Sequence, residues 1–149
     1  MKLPYTETMA LQTRVPVDIE RRLSTLGDRL AAACPDIEFA YLFGSAGTER
    51  STAGSDVDLA IYVSEAADPH LSRLEVGRIA ANHLHTDAID IVLLNTAPVA
   101  LAGRVLTSRH VIVDQRPFVR HEYESRTARL FQDFRIREHR LLAERYARG

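Results

Sequence analysis

The sequence predicts an α/β (α+β) chain, a small mixed β-sheet flanked by helices and followed by a helical tail. Three observations carry that prediction. Short runs rich in β-branched and aromatic residues alternate with stretches of helical spacing as far as about residue 114. Gly, Pro, Ser and Asp punctuate the joins between them. Beyond Pro117 the strand signal ends, and an apolar stripe at helical spacing runs against a face of Arg and Glu.

Each element has its own local reason. Pro16 sits where a first helical residue belongs, and Val17 to Ala33 follows with Ile19, Leu23, Leu26 and Leu30 at helical spacing until Cys34-Pro35. Ile37 to Phe43 reads as a buried strand stopped by Gly44. The stretch from Gly44 to Ser55, rich in Gly, Ser and Thr, reads as a loop, and Val57 to Val63 as a second strand. Asp68-Pro69 supplies a cap and first position for a helix to about Leu84, with Leu71, Leu74, Ile79 and Leu84 expected to face inward. Ala88 to Leu94 is a third strand, interrupted by Asp90 alone. Pro98 opens a short helix to about Leu106, and Val111 to Val113 is a short fourth strand. In the tail, Tyr123, Thr127, Leu130, Phe131 and Phe134 share a face that Leu141, Leu142 and Tyr146 continue; the expectation is that this face packs on the body.

Composition narrows the function classes. The chain has 149 residues, 46% hydrophobic and 26% charged, as expected of one globular domain over 1–149 with a core at about 37–114 and a tail at about 117–147. One cysteine, Cys34, excludes an internal disulfide and fits a reducing cytoplasm. The N-terminus lacks an apolar signal-peptide region. No run reaches the roughly 18 apolar residues of a membrane span, so no membrane partner is expected. A net charge of −1 conceals a polarity: residues 1–114 hold 10 basic and 15 acidic groups, whereas residues 115–149 hold 9 and 5. With a pI near 6.6 and an acidic body, no broad basic surface for nucleic acid is expected.

The candidate chemistry rests on carboxylates inside apolar strands. Asp56 and Asp58 flank Val57, so in extended chain their side chains share one face. If the second and third strands are neighbours, Asp90 joins them. Like charges so placed repel and raise one another's pKa, and a divalent cation relieves that repulsion. All-oxygen donors favour Mg²⁺ or Mn²⁺ over zinc. Upstream, Gly44-Ser45 ends the first strand, where glycine permits a sharp turn and a close approach to a ligand. A helical turn starting there would offer free N–H groups to phosphate. A metal beside a phosphate cradle suits nucleotidyl transfer by two-metal displacement.

Gly44-Ser45, ten intervening residues, Asp56-Val57-Asp58 and then Asp90 on a following strand resemble the DNA polymerase beta-like nucleotidyltransferase superfamily. The small size resembles its minimal nucleotidyltransferase branch, the antitoxins of MNT/HEPN toxin–antitoxin pairs. The resemblance spans roughly residues 37–135 and includes Phe131-Gln132-Asp133-Phe134, an aromatic-x-Asp-Phe pattern. It implies transfer of AMP from ATP, with two Mg²⁺ ions, onto a tyrosine of a HEPN-family ribonuclease toxin, which is thereby silenced. It also implies that Gly44, Ser45, Arg50 and Ser55 bind the nucleotide. Asp56 and Asp58 would ligate the metals, and Asp90 would ligate the catalytic metal and help deprotonate the tyrosine. Family members carry Ala-Arg-Gly three to five positions after the glycine; here Gly47-Thr48-Glu49 stand there, and Arg50 is the candidate replacement.

Two other classes stay open: an antitoxin that inhibits by binding alone, and a transferase acting on a small molecule such as an aminoglycoside. Ser45 lacks a Gly-x-Ser-x-Gly elbow. His83, His85 and Asp87 match no standard zinc spacing and read as an exposed helix end, with Asp87 capping a loop. Cys34 reads as a small core residue. Arg116 and His121 match an Arg-x₄-His ribonuclease signature, but roughly two such matches are expected by chance at this composition.

Overall fold

A computed structural model describes residues 18–44 and 56–148. The elements run α1 (Ile19–Ala33), β1 (Ile37–Phe43), β2 (Val57–Val63), α2 (Pro69–Leu84), β3 (Ile89–Leu93), α3 (Val99–Thr107), β4 (His110–Asp114) and α4 (Pro117–Arg148). The strands form one sheet in the order β3-β2-β1-β4. β1 pairs antiparallel with both β2 and β4, while β2 and β3 are parallel, joined by the α2 crossover. The sheet is therefore mixed, as the sequence predicts, and the element order matches throughout.

Alternation along the strands sorts side chains to two faces. On one face Val57, Leu59, Ile61 and Val63 join Leu23, Leu26 and Leu30 of α1 and Val76, Ile79, Ala80 and Leu84 of α2 in an aliphatic core. On the other, Ala60 and Tyr62 meet Phe39, Tyr41, Tyr123 and the α3 residues Ala102 and Val105. That second core is aromatic: the Phe39 and Tyr62 rings stack at 4.8 Å, and Tyr123 closes on both at 5.6 and 5.3 Å.

Local chemistry sets the element ends. Asp68 caps α2, its Oδ1 accepting from the His70 and Leu71 N–H groups, with Pro69 at the first helical position. His85 ends that helix at φ 55°. Beyond β2, Asn95 holds Val63 through both its amide atoms, accepting from the Val63 N–H at 3.0 Å and donating to its carbonyl at 2.9 Å. Cys34 is buried, and burial pushes its thiol above the ordinary value.

Two expectations hold only in part, Ile79 and Leu84 of α2 and Tyr123 and Thr127 of the tail being buried as expected. Leu71 and Leu74 do not face inward: they are 64% and 70% exposed. The buried face of α2 follows Val76, Ile79, Ala80 and Leu84, and at about 100° per residue Leu74 lies on the far side of that stripe. The tail is one helix of 32 residues, but only Tyr123 and Thr127 on it are buried. Leu130, Phe134, Leu141, Leu142 and Tyr146 are exposed, Tyr146 to 84%. A helix of that length runs about 48 Å, longer than the sheet it crosses. Its contact with α3 closes at Phe131, whose ring fills the space a Cβ on Gly103 would take. No helix among the described residues is long and apolar enough to cross a membrane.

Candidate active site

The parallel pairing of β2 with β3 places Asp58 opposite Asp90, one register step from Val57 opposite Ile89. Asp56 immediately precedes β2 and lies exposed two residues from Asp58, on the same face by strand alternation. All three belong to the face that carries the aromatic core rather than the aliphatic one. Asp58 is partly buried, and that burial, followed by the neighbouring Asp90 and Asp56 charges, raises its carboxyl above the ordinary aspartate value. The Asp90 and Asp56 charges thus both act on Asp58.

Gly44 completes the row. Phe43 pairs with Asp58 across β1 and β2, so the residue after it abuts the same carboxylate. Gly44 has φ +74°, and a Cβ there would lie 2.5 Å from Asp58 Oδ2. Both facts favour glycine, one through backbone sterics and one because a Cβ would push the Asp58 carboxylate aside. Its N–H donates to Ser108 Oγ at 3.2 Å. The contribution of Gly44 to any phosphate cradle therefore lies in its conformation, since its amide is already engaged. Ser45, Arg50 and Ser55, the other expected nucleotide contacts, lie outside the described residues.

Among the described residues, no group of three His, Cys, Asp or Glu side chains is closed tightly enough to hold a metal as it stands. By donor chemistry, Asp56, Asp58 and Asp90 suit a hard divalent cation, which would relieve the charge repulsion that raises Asp58. His83 serves packing instead: its Nε2 lies 2.8 Å from Thr25 Oγ1 and 3.0 Å from the Arg22 carbonyl, tying α2 to α1.

Sequence reasoning missed two supports of the site. Ser108, at the end of α3, holds the Gly44 turn from 64 residues away. Glu124 on α4 accepts from the Tyr41 hydroxyl at 2.7 Å, from Arg109 Nε at 3.0 Å and from an Arg120 guanidinium nitrogen at 3.1 Å. Burial opposes its charge, yet those bonds outweigh it and hold the carboxyl below the ordinary glutamate value. The spacing of Arg120 and Glu124 at i and i+4 was the available signal. It did not disclose Tyr41, 83 residues away.

Comparison with known proteins places the fold. The protein adenylyltransferase MntA of Shewanella oneidensis is 32% identical over 73 residues, 49% of this chain and 51% of the relative. The match thus spans about half the length of that curated relative. A crystal structure of the MntA–HepT toxin–antitoxin superposes with a TM-score of 0.61 at 20% identity, covering 84% of this chain and 97% of that one. A toxin–antitoxin structure with AMP-PNP gives 0.64 at 22% identity, over 84% and 96% of the two chains. A complex of tri-AMPylated Shewanella oneidensis HEPN toxin with its MNT antitoxin gives 0.62 at 21%, with the same coverage. At such identities the likeness establishes the fold. The family model for polymerase beta nucleotidyltransferases matches residues 28–117, from within α1 to the first residue of α4 and so across every strand and all three carboxylates. The chain belongs to the polymerase beta nucleotidyltransferase family.

Proposed function

We propose that the chain is an antitoxin that transfers AMP from ATP onto a tyrosine hydroxyl of a HEPN-family toxin and so silences it. The observation that carries this reading is the row Gly44, Asp58, Asp90 across three adjacent strand ends, with Asp56 beside it. The similarity to MntA and to the complex holding a tri-AMPylated toxin supports the choice of acceptor.

Asp56, Asp58 and Asp90 would hold Mg²⁺ or Mn²⁺, which when bound offsets phosphate charge and polarises the α-phosphoryl group. The chain's own residues do the rest. Gly44 gives the phosphates a close approach beside Asp58, with Ser45, Arg50 and Ser55 as further nucleotide contacts. Asp90, exposed at the end of β3, accepts the proton of the attacking tyrosine hydroxyl. The tyrosine oxygen bonds to the α-phosphorus, the α–β phosphoanhydride breaks, and pyrophosphate leaves with the bonding pair.

The test mixes the chain, ATP, Mg²⁺ and a HEPN protein encoded beside it, and weighs the partner by mass spectrometry. An added AMP mass, absent with Asp56→Asn, is the expected result. An unchanged partner mass in a tight complex would overturn catalysis and leave an antitoxin that inhibits by binding alone.

A further inference from the structure

A second candidate site lies on the sheet's other side. Between α1 and α2 runs a groove of about 540 Å³, backed by the aliphatic core and separated by the sheet from the carboxylate row. Its wall on α1 carries Arg21, Thr25 and Arg29, spaced i, i+4 and i+8 and so aligned along one helical edge. Facing them on α2 stand Arg78, Asn82 and His85. The His83 contacts with Thr25 and the Arg22 carbonyl fix the distance between the walls.

Charge makes this groove unlike its surroundings. Residues 1–114 hold 15 acidic against 10 basic groups. Yet four arginines line the groove against one carboxylate, Asp18. Arg22 is paired with Asp18 at 3.0 Å and Arg78 with Glu75 at 2.6 Å. Arg21 and Arg29 make no hydrogen bond or ion pair among the described residues. Residues 21 and 29 stand about 12 Å apart along the helix, and their exposed side chains, on long flexible stems, lie beside one concave surface, Arg21 acting on Asp18 through charge alone.

The lining also indicates the ligand class. A protein-docking surface is anchored by aromatic or large apolar side chains that become buried. Here the one large apolar residue, Ile79, is already in the core, at 3% exposure. Apart from the Asp18 carboxylate, paired with Arg22, what remains is guanidinium, amide, hydroxyl and imidazole, the donor set that recognises phosphate. We propose that the α1–α2 groove binds an anion carrying several phosphates, held principally by Arg21 and Arg29 with Arg78 opposite, at a site distinct from the carboxylate row.

The experiment uses the full chain in EDTA, so that no divalent cation helps the carboxylates hold phosphate. Tripolyphosphate and a thymidine octanucleotide are titrated separately by isothermal calorimetry into wild type, R21E/R29E, R21Q/R29Q and Asp58→Asn. At least one probe is expected to bind wild type. Charge reversal should weaken it ~10-fold or more and the Gln pair by less, each lost guanidinium–phosphate contact being charge-assisted. Asp58→Asn should stay within about twofold, since the sheet lies between. Saturable tripolyphosphate binding identifies a soluble phosphate ligand, and octanucleotide binding alone identifies a nucleic-acid backbone. Thermal unfolding confirms that the arginine variants fold, and the Gln pair serves if charge reversal does not. Failure of both probes to bind wild type overturns the proposal. So does undiminished binding by the folded arginine variants, or a change of more than about twofold in either direction produced by Asp58→Asn.

Discussion

On its α1–α2 side the sheet meets helices through Val57, Leu59, Ile61 and Val63, and that core is aliphatic throughout. On the opposite side the same strands present Asp58, Ala60 and Tyr62, and the packing partners are rings and ion pairs. Side-chain alternation makes the two sets independent. One face can be optimised for burial while the other carries mutually repelling carboxylates. The cost of that repulsion is confined to the strand ends, where Asp90 and Asp56 are exposed and Asp58 is only partly covered.

This division can be broken experimentally, and the largest effect is expected in activity. Asp58→Asn should lower AMP transfer by ~10²-fold or more, since a metal-borne charge stabilisation is worth several kcal/mol. Its melting temperature in EDTA should hold or rise, because a carboxyl held above its ordinary value by burial and two like charges is being neutralised. A parallel fall in both quantities would join the two faces energetically. On the other face, Leu30→Ala removes a fully buried side chain and should cost about 3 kcal/mol by denaturant titration. Where the protein remains folded, the transfer rate should be unchanged.

Glu124→Gln addresses the charged part of the aromatic face and should cost about 2 kcal/mol, the order expected for hydrogen bonds to a charged group. The sign of its pH dependence follows from its depressed carboxyl. The stabilisation is complete above the ordinary value of 4.5 and is lost as pH falls through the lower folded-state value. The stability gap between wild type and Glu124→Gln should therefore be flat near neutrality and narrow below about pH 4.5 in urea titrations. Gly44→Ala should cost about 1 kcal/mol from the left-handed backbone alone, together with a loss of transfer as Asp58 is displaced. Smallest of all, Leu141→Ala should leave stability within about 0.5 kcal/mol, because that side chain is 67% exposed.

Much of this arrangement was legible because it depends on short spacings. Strand alternation put Asp56 and Asp58 on one face, and the apolar run around Asp90 marked β3 as a strand, while its place beside β2 came only with the fold. The turn at Gly44 and the cap at Asp68 follow from local backbone chemistry. What escaped was set by distance or by competition between faces. α2 carries leucines on two sides; spacing disclosed Ile79 and Leu84, but not that Val76 and Ala80 would join them in place of Leu71 and Leu74. The tail stripe is continuous in sequence, but its burial ends where the body ends, a limit fixed by the dimensions of the sheet. Ser108 with Gly44, and Glu124 with Tyr41, are long-range contacts between residues unremarkable in their own neighbourhoods.

The single parallel pairing in the sheet has a consequence in time. Thirteen residues separate antiparallel β1 and β2, but β3 reaches β2 only after twenty-five, which carry the chain through α2 and back. Contacts of that kind close a long loop before they gain anything, and they form slowly. Asp90 thus reaches Asp58 only once the crossover has docked. A chain still folding would hold the Gly44 turn and the first two carboxylates without the third, and the proposed transfer would begin only after β3 has paired.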